Sequence, residues 1–152
     1  MSDYKIEKVR RSLSVILADG TRLEGDVFLL PTSRHRSRPE EPTDLLNDAE
    51  PFFALVRDGE ALLVAKATVI MAEVAVGESD EEEDLASLGV PVEVTMIDGS
   101  TCTGSIFLET RTERPRLLDF LNAYAHPFIP VVDVKQLFLV NTQTIAHVRE
   151  VA

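Results

Sequence analysis

The residue types that most often act as nucleophiles, general bases or metal ligands are few and scattered in this sequence. Cys102 is the only cysteine, and the three histidines are His35, His126 and His147. A thiol nucleophile needs a neighbouring base, and a zinc site needs several Cys or His ligands at short spacing. The sequence has no such spacing, no glycine-rich phosphate loop and no nucleophile elbow. We therefore predict that the chain is not an enzyme and has no catalytic residue, no metal and no cofactor.

One long segment of the sequence occurs twice. VILADGTRLEGDVFLL at 15–30 returns 79 residues later as VTMIDGSTCTGSIFLE at 94–109, and PFFALV at 51–56 is matched by PFIPVV at 127–132. A repeat of this length in 152 residues predicts two similar units. Because a unit of about 60 residues buries too little surface to be very stable alone, we expect the units to pack together or to bind partner chains.

Both copies keep an Asp and an Asn three residues apart downstream of this segment. The first pair is Asp44 and Asn47, and the second is Asp119 and Asn122. In a short helix, an Asp in the first turn and an Asn near the end can hydrogen-bond to backbone groups that the helix leaves unpaired. Capping is one interpretation, and a contact surface for a ligand or a neighbouring chain is the other.

Alternating apolar residues predict that each copy begins with a β-hairpin, whose turn in the first copy is Asp19-Gly20. In the second strand, Gly25 and Gly104 fall on the inward face, which is typical of a bend or bulge. Cys102 falls on this same face and matches Leu23 of the first copy. We interpret this cysteine as a small, buried apolar residue.

Phe28 and Phe107 lie on the opposite face of these strands, which would be in contact with solvent in a simple barrel. The next segments have proline near their start and leucines at helical spacing, which predicts short helices over 42–49 and 115–124. We expect each helix to cover the phenylalanine of its own copy.

Each copy continues with three further strands, over 51–74 and 127–151. The apolar runs 61–64 and 137–140 do not alternate, so these strands are predicted to be covered on both faces. In the final strand of the first copy, Met71 is predicted to face outward. Exposed apolar edges are normally paired or buried, which predicts pairing between the copies and then between chains.

Charge is concentrated between the two copies. Of the net charge of −11, residues 1–76 contribute −3, residues 77–90 contribute −6 and residues 91–152 contribute −2. We predict a first unit over 1–76, an acidic connector over 77–90 and a second unit over 91–152. The connector is either a disordered linker or a short helix with a capping box at Ser79 and Glu82.

Composition excludes several classes of protein. No segment has the basic surplus that binding to a nucleic-acid backbone requires, so nucleic acid is disfavoured as a partner. No apolar run approaches the ~18 residues of a membrane span, and the N-terminus lacks the apolar region of a secretory signal. We expect a cytoplasmic protein with no membrane partner.

The segment ILADGTRLEGDVFL (16–29) resembles the first half of the signature of Sm and Sm-like proteins. The resemblance implies a mainly β fold, namely a tandem duplication of a small five-stranded Sm-like (SH3-type) barrel with a short helix inserted between strands 2 and 3. Sm-like proteins associate through their last two strands into rings, and many bind RNA. They have Arg-Gly where this sequence has Ala65-Lys66 and Asn141-Thr142, so their RNA-contacting residues do not carry over.

A second resemblance is to small uncharacterised bacterial domains with an RxxDFLN helix. It rests on RLLDFLN (116–122), FIPVVDV (128–134) and LVNTQTI (139–145). This resemblance implies the fold and implies no activity.

Three functional hypotheses follow from the sequence. The leading one is a non-catalytic binding or assembly module whose partner is itself, as a homo-oligomer, or another protein. The alternatives are an Sm-like RNA-binding protein and an enzyme with a site between the repeats. The candidate interaction surface consists of Asp44, Asn47, Asp119, Asn122, Phe28 and Phe107.

Overall fold

Each half of the chain has the same order of elements. In the computed structural model, which describes residues 9–31, 39–75, 89–108 and 116–151, the elements of the first half are β1 (Val9–Leu17), β2 (Arg22–Leu29), α1 (Pro42–Asn47), β3 (Phe52–Arg57), β4 (Glu60–Ala65) and β5 (Val69–Ala75). Those of the second half are β6 (Gly89–Met96), β7 (Thr101–Phe107), α2 (Leu117–Ala123), β8 (Phe128–Val132), β9 (Gln136–Asn141) and β10 (Ile145–Glu150). The prediction of a mainly β chain, with a short helix after the second strand of each half, is therefore confirmed.

Some predictions concern residues outside these ranges. Residues 77–88 of the predicted connector, and with them both of its alternatives, a linker or a helix, lie outside the described residues. So do Pro115, where the second helix is predicted to start, and His35. β6 begins at Gly89, so the last two residues assigned to the connector belong to a strand.

The ten strands form one antiparallel sheet that is not closed. Its strand order is β10-β6-β7-β8-β9-β5-β1-β2-β3-β4. Within each half the final strand lies beside the first, and the two halves meet where β5 pairs with β9. We call this β5–β9 pairing the internal joint. Its register places Met71 opposite Val140, Ala72 opposite Leu139 and Glu73 opposite Phe138.

The second and third strands of each half approach each other closely at a glycine. A Cβ atom on Gly25 would lie 2.7 Å from the carbonyl oxygen of Val56, and one on Gly104 would lie 2.8 Å from the carbonyl oxygen of Val132. Real Cβ atoms do not approach oxygen so closely, so both positions require glycine for backbone packing. The inward glycines therefore lie where two backbones approach closely, and a bend or bulge at these positions stays a prediction.

Two hydrophobic clusters form the core, one on each half, and they exchange side chains across the internal joint. Phe128 and Leu139 of the second half belong to the first cluster, while Ile70 and Met71 of the first half belong to the second. Burying each such side chain is worth roughly 1.5–3 kcal/mol, so each half stabilises the other. The prediction that Met71 faces outward is wrong, because pairing with β9 leaves this residue only 3% exposed.

Candidate functional site: the internal joint and two sheet edges

The two phenylalanines of the predicted surface have different environments. Phe28 is 42% exposed, so the prediction that a helix covers it is wrong for this residue. Phe107 is half-buried, and its ring lies so close to Gly89 that a Cβ atom there would be 2.9 Å from the ring. The two matching positions therefore differ in exposure.

The two aspartates lie in the first turns of the helices. A carboxylate oxygen of Asp44 accepts a hydrogen bond of 2.9 Å from the backbone N–H of Glu41, and the two residues form a capping box at the start of α1. Asp119 is exposed on α2, with a carboxylate oxygen 3.6 Å from the guanidinium of Arg116. The structure therefore assigns helix capping to Asp44, as one interpretation of the sequence predicts.

Asn47 binds the other half of the chain. Its Oδ1 accepts a hydrogen bond of 2.7 Å from the backbone N–H of Phe128, and its Nδ2 donates one of 3.0 Å to the carbonyl oxygen of Phe128. The Tyr124 hydroxyl donates to that oxygen as well, at 2.6 Å. Asn47 thus acts as a bidentate clamp across the internal joint, linking the two halves of one chain.

The hairpin geometry of the second half explains why Phe128 is available to this clamp. The backbone N–H of Thr142 donates to the carbonyl oxygen of Pro127 at 2.9 Å. Because antiparallel strands alternate between hydrogen-bonded and non-hydrogen-bonded pairs, the next pair, Phe128 and Asn141, directs its backbone groups away from the hairpin. The N–H and C=O of Phe128 therefore point toward α1.

Sequence reasoning missed a second polar contact at the joint. Asn141 is only 5% exposed, and its Nδ2 donates a hydrogen bond of 2.9 Å to the carbonyl oxygen of Val69. Its Oδ1 accepts one of 3.0 Å from the N–H of Gln143. The only signal in the sequence is an asparagine at the end of an apolar strand where the first copy has Ala65.

A buried lysine fixes α1 beside the end of β4. Lys66 is 7% exposed, and its Nζ donates to the carbonyl oxygen of Leu45 at 2.7 Å and to a carboxylate oxygen of Asp48 at 2.6 Å. An amphipathic cation of this kind is buried only where partners satisfy its ammonium group. Lys66 therefore serves to position the helix that carries Asn47.

One outer edge of the sheet exposes large apolar side chains. On and beside β4, Phe52 is 57% exposed, Leu62 is 39% exposed and Leu63 is 73% exposed; we call these three residues the β4 edge. The residues that match Phe52 and Leu63 in the second half are Phe128 and Leu139, which are 1% and 0% exposed in the internal joint. The same strand position is thus buried in one half and open to solvent in the other.

The opposite edge of the sheet shows the complementary pattern. Leu121, Ile145 and Val148 are half-buried on α2 and β10; we call these three residues the β10 edge. The residues that match them in the first half, which the internal joint covers, are all 0% exposed: Leu46, Val69 and Ala72.

The structure gives Cys102 and the described histidines no shared site. Cys102 is 5% exposed, and burial, with a smaller contribution from the Glu73 carboxylate, raises the pKa of its thiol to about 11. This thiol is therefore protonated at neutral pH and is a weak nucleophile. His126 and His147 are both exposed, on a loop and on β10.

Two further searches concern the described ranges only. Among these residues, no group of three or more His, Cys, Asp or Glu side chains could hold a metal ion. None of the helices described is long and apolar enough to cross a membrane.

Comparisons with known proteins give no match to this chain, whether with family models, curated proteins or solved structures.

Proposed function

We propose that the chain is a non-catalytic assembly module that forms homo-oligomers through its β4 edge. The observation that carries this proposal is the exposure of Leu63, at 73%, on an edge strand whose counterpart Leu139 is fully buried. Natural proteins usually protect an edge strand with charges, proline or a covering element, because unpaired backbone groups and apolar side chains pair readily with another strand. The β4 edge supports a contact in which another strand covers it.

The proposal includes a finer interpretation of the fold. In it, the two halves are duplicated copies of a small, strongly bent Sm-like barrel, placed side by side. The identical strand order of the halves supports this interpretation, as do the close backbone approaches at Gly25 and Gly104. A crystal structure would test it: two halves that superimpose as small barrels would support the interpretation, and two halves of unlike shape would contradict it.

The test of the function is the molecular mass in solution, measured by light scattering after size exclusion at micromolar concentration. We expect the wild-type protein to exceed the 16.8 kDa of one chain. Leu63→Lys should weaken the association roughly 10- to 100-fold, since it removes the burial of one leucine, worth about 1.5–3 kcal/mol.

Val134→Lys is the matched control, because Val134 is 82% exposed in the turn between β8 and β9. This variant should associate as the wild type does. A wild-type mass of one chain, or equal effects of the two lysine substitutions, would contradict the proposed function.

A further inference from the structure

We infer that the β4 edge of one copy pairs with the β10 edge of the next copy, head to tail, in the register of the internal joint. This inference rests on the proposed function and names the partner strand. The internal joint already pairs a fourth strand of one half, β9, with a fifth strand of the other, β5. The chain leaves one strand of each kind, β4 and β10, at opposite ends of its sheet, so a second copy presents the matching edge.

The register follows from the matching positions of the two halves. In the internal joint, Ala72 faces Leu139. The residues at these positions on the outer edges are Val148 on β10 and Leu63 on β4, which therefore face each other across the contact between copies. Leu63 is thereby buried as Leu139 is.

The asparagine clamp also has a counterpart at the outer contact. Asn122 is exposed near the end of α2, at the position that Asn47 occupies on α1. The backbone N–H of Lys66 donates to the carbonyl oxygen of Pro51 at 2.9 Å, so Phe52 directs its own N–H and C=O away from its hairpin, as Phe128 does. Asn122 of one copy thus meets the backbone of Phe52 of the next.

The apolar side chains of the two edges are complementary. In the internal joint, Phe128 and Leu139 belong to the same core cluster as Leu46. At the outer contact, Phe52 and Leu63 take the places of Phe128 and Leu139, and they cover Leu121, which takes the place of Leu46. The β4 edge thus supplies exposed apolar side chains, and the β10 edge supplies the apolar residues that they cover.

The outer contact is weaker than the internal joint, and three of the positions that differ between them show why. Ala146 stands where β5 has Ile70, Glu150 stands where β5 has Val74, and Ala65 replaces the buried Asn141. The contact buries less apolar surface and lacks the hydrogen bond of Asn141 to the opposite strand. Since the two edges are different surfaces, the contact is heterologous and continues from copy to copy until the assembly closes.

Disulfide trapping tests the register, in full-length protein that carries Cys102→Ala. Chains with Leu63→Cys are mixed with chains with Val148→Cys under mild oxidation. Directly opposite residues in an antiparallel pair have Cα atoms about 5 Å apart, which a disulfide can span. We expect a covalent two-chain product from the mixture, and at least tenfold less when Ala146→Cys, two residues along β10, replaces Val148→Cys.

The outcomes separate the inference from the proposed function. An oligomer in which Leu63→Cys chains cross-link to one another would show that two β4 edges pair, and would overturn the head-to-tail arrangement while leaving the assembly function intact. An oligomer with no cross-linked product from the mixture would do the same. A wild-type monomer would overturn both.

Asn122→Ala provides a second, independent measurement by sedimentation equilibrium. We expect the dissociation constant of the assembly to rise roughly tenfold, because two backbone hydrogen bonds are lost. The midpoint of urea unfolding at low protein concentration should stay unchanged, since the side chain is exposed within its own chain. An unchanged dissociation constant would overturn the clamp between copies.

Discussion

Replacing Asn47 with alanine should destabilise the whole chain, although Asn47 lies outside both core clusters. The side chain accepts a hydrogen bond of 2.7 Å from the Phe128 N–H and donates one of 3.0 Å to the Phe128 carbonyl oxygen. Phe128 itself is 1% exposed. In the Asn47→Ala variant, its N–H loses this acceptor in a place that water reaches poorly, while its carbonyl keeps the hydrogen bond from Tyr124.

The expected loss can be worked from these contacts. A net hydrogen bond contributes about 1 kcal/mol, and a buried donor left without an acceptor costs about 1–3 kcal/mol. Because the Phe128 carbonyl oxygen retains a partner, most of the loss comes from the Phe128 N–H. We expect the free energy of unfolding to fall by about 2–3 kcal/mol. For a chain of this size, this corresponds to a drop in Tm of roughly 4–12 °C.

The assay is urea unfolding followed by far-ultraviolet circular dichroism, at a concentration where the protein is monomeric. Asn122→Ala is the matched control, since it makes the same chemical change at the same position of the other helix, on an exposed side chain. The control should change the free energy of unfolding by less than about 0.5 kcal/mol. Equal losses in the two variants, or a loss below about 0.5 kcal/mol for Asn47→Ala, would refute the reasoning.

Other predictions concern the two close backbone approaches and the buried thiol. Gly25→Ala and Gly104→Ala should each cost about 1–3 kcal/mol in urea unfolding, because the new methyl group meets a carbonyl oxygen at 2.7 or 2.8 Å; the exposed Thr103→Ala is the control, and equal small losses would contradict the packing argument. Cys102, with its pKa raised from 9.0 to about 11, should react with a disulfide reagent near neutral pH roughly 100-fold more slowly in the native protein than in urea; equal rates would show that the thiol is not buried. The folded state holds the thiol proton more tightly than the unfolded state does. The contribution of Cys102 to the free energy of unfolding is therefore present below the ordinary pKa of the thiol and is lost as pH rises toward the folded value. Wild type should lose more stability in alkali than Cys102→Ala, and parallel pH profiles would contradict this.

Local features of the fold were predictable because they depend on neighbouring residues. The turn at Asp19-Gly20 is one example, since Gly20 adopts a positive φ angle of 89°, which favours glycine. The inward glycines are another, since alternation along the strand already places them on the side where β3 and β8 approach. In each case the sequence within a few residues determines the backbone.

The internal joint was not predictable in the same way, because it depends on contacts between residues far apart in sequence. Met71 and His147 occupy matching positions, yet Met71 is buried where β5 pairs with β9, while His147 is exposed on an outer edge. Asn47 and Asn122 likewise have the same local pattern, and only the position of Phe128 distinguishes them. A repeat predicts that two positions are alike and does not tell which copy meets a partner.

The two outer edges differ in a way that favours pairing between unlike edges. Strand β10 carries Arg149 and Glu150, charges that normally protect an edge strand from pairing with its own kind. Strand β4 has Leu62 and Leu63 at its centre and carries a charge only at its start, at Glu60. In the register of the internal joint, Arg149 of one copy faces Leu62 of the next, two residues from Glu60, so that opposite charges lie diagonally across the contact. Pairing two β4 edges would instead place leucines together without engaging Asn122, and for this reason the unlike edges are the better match.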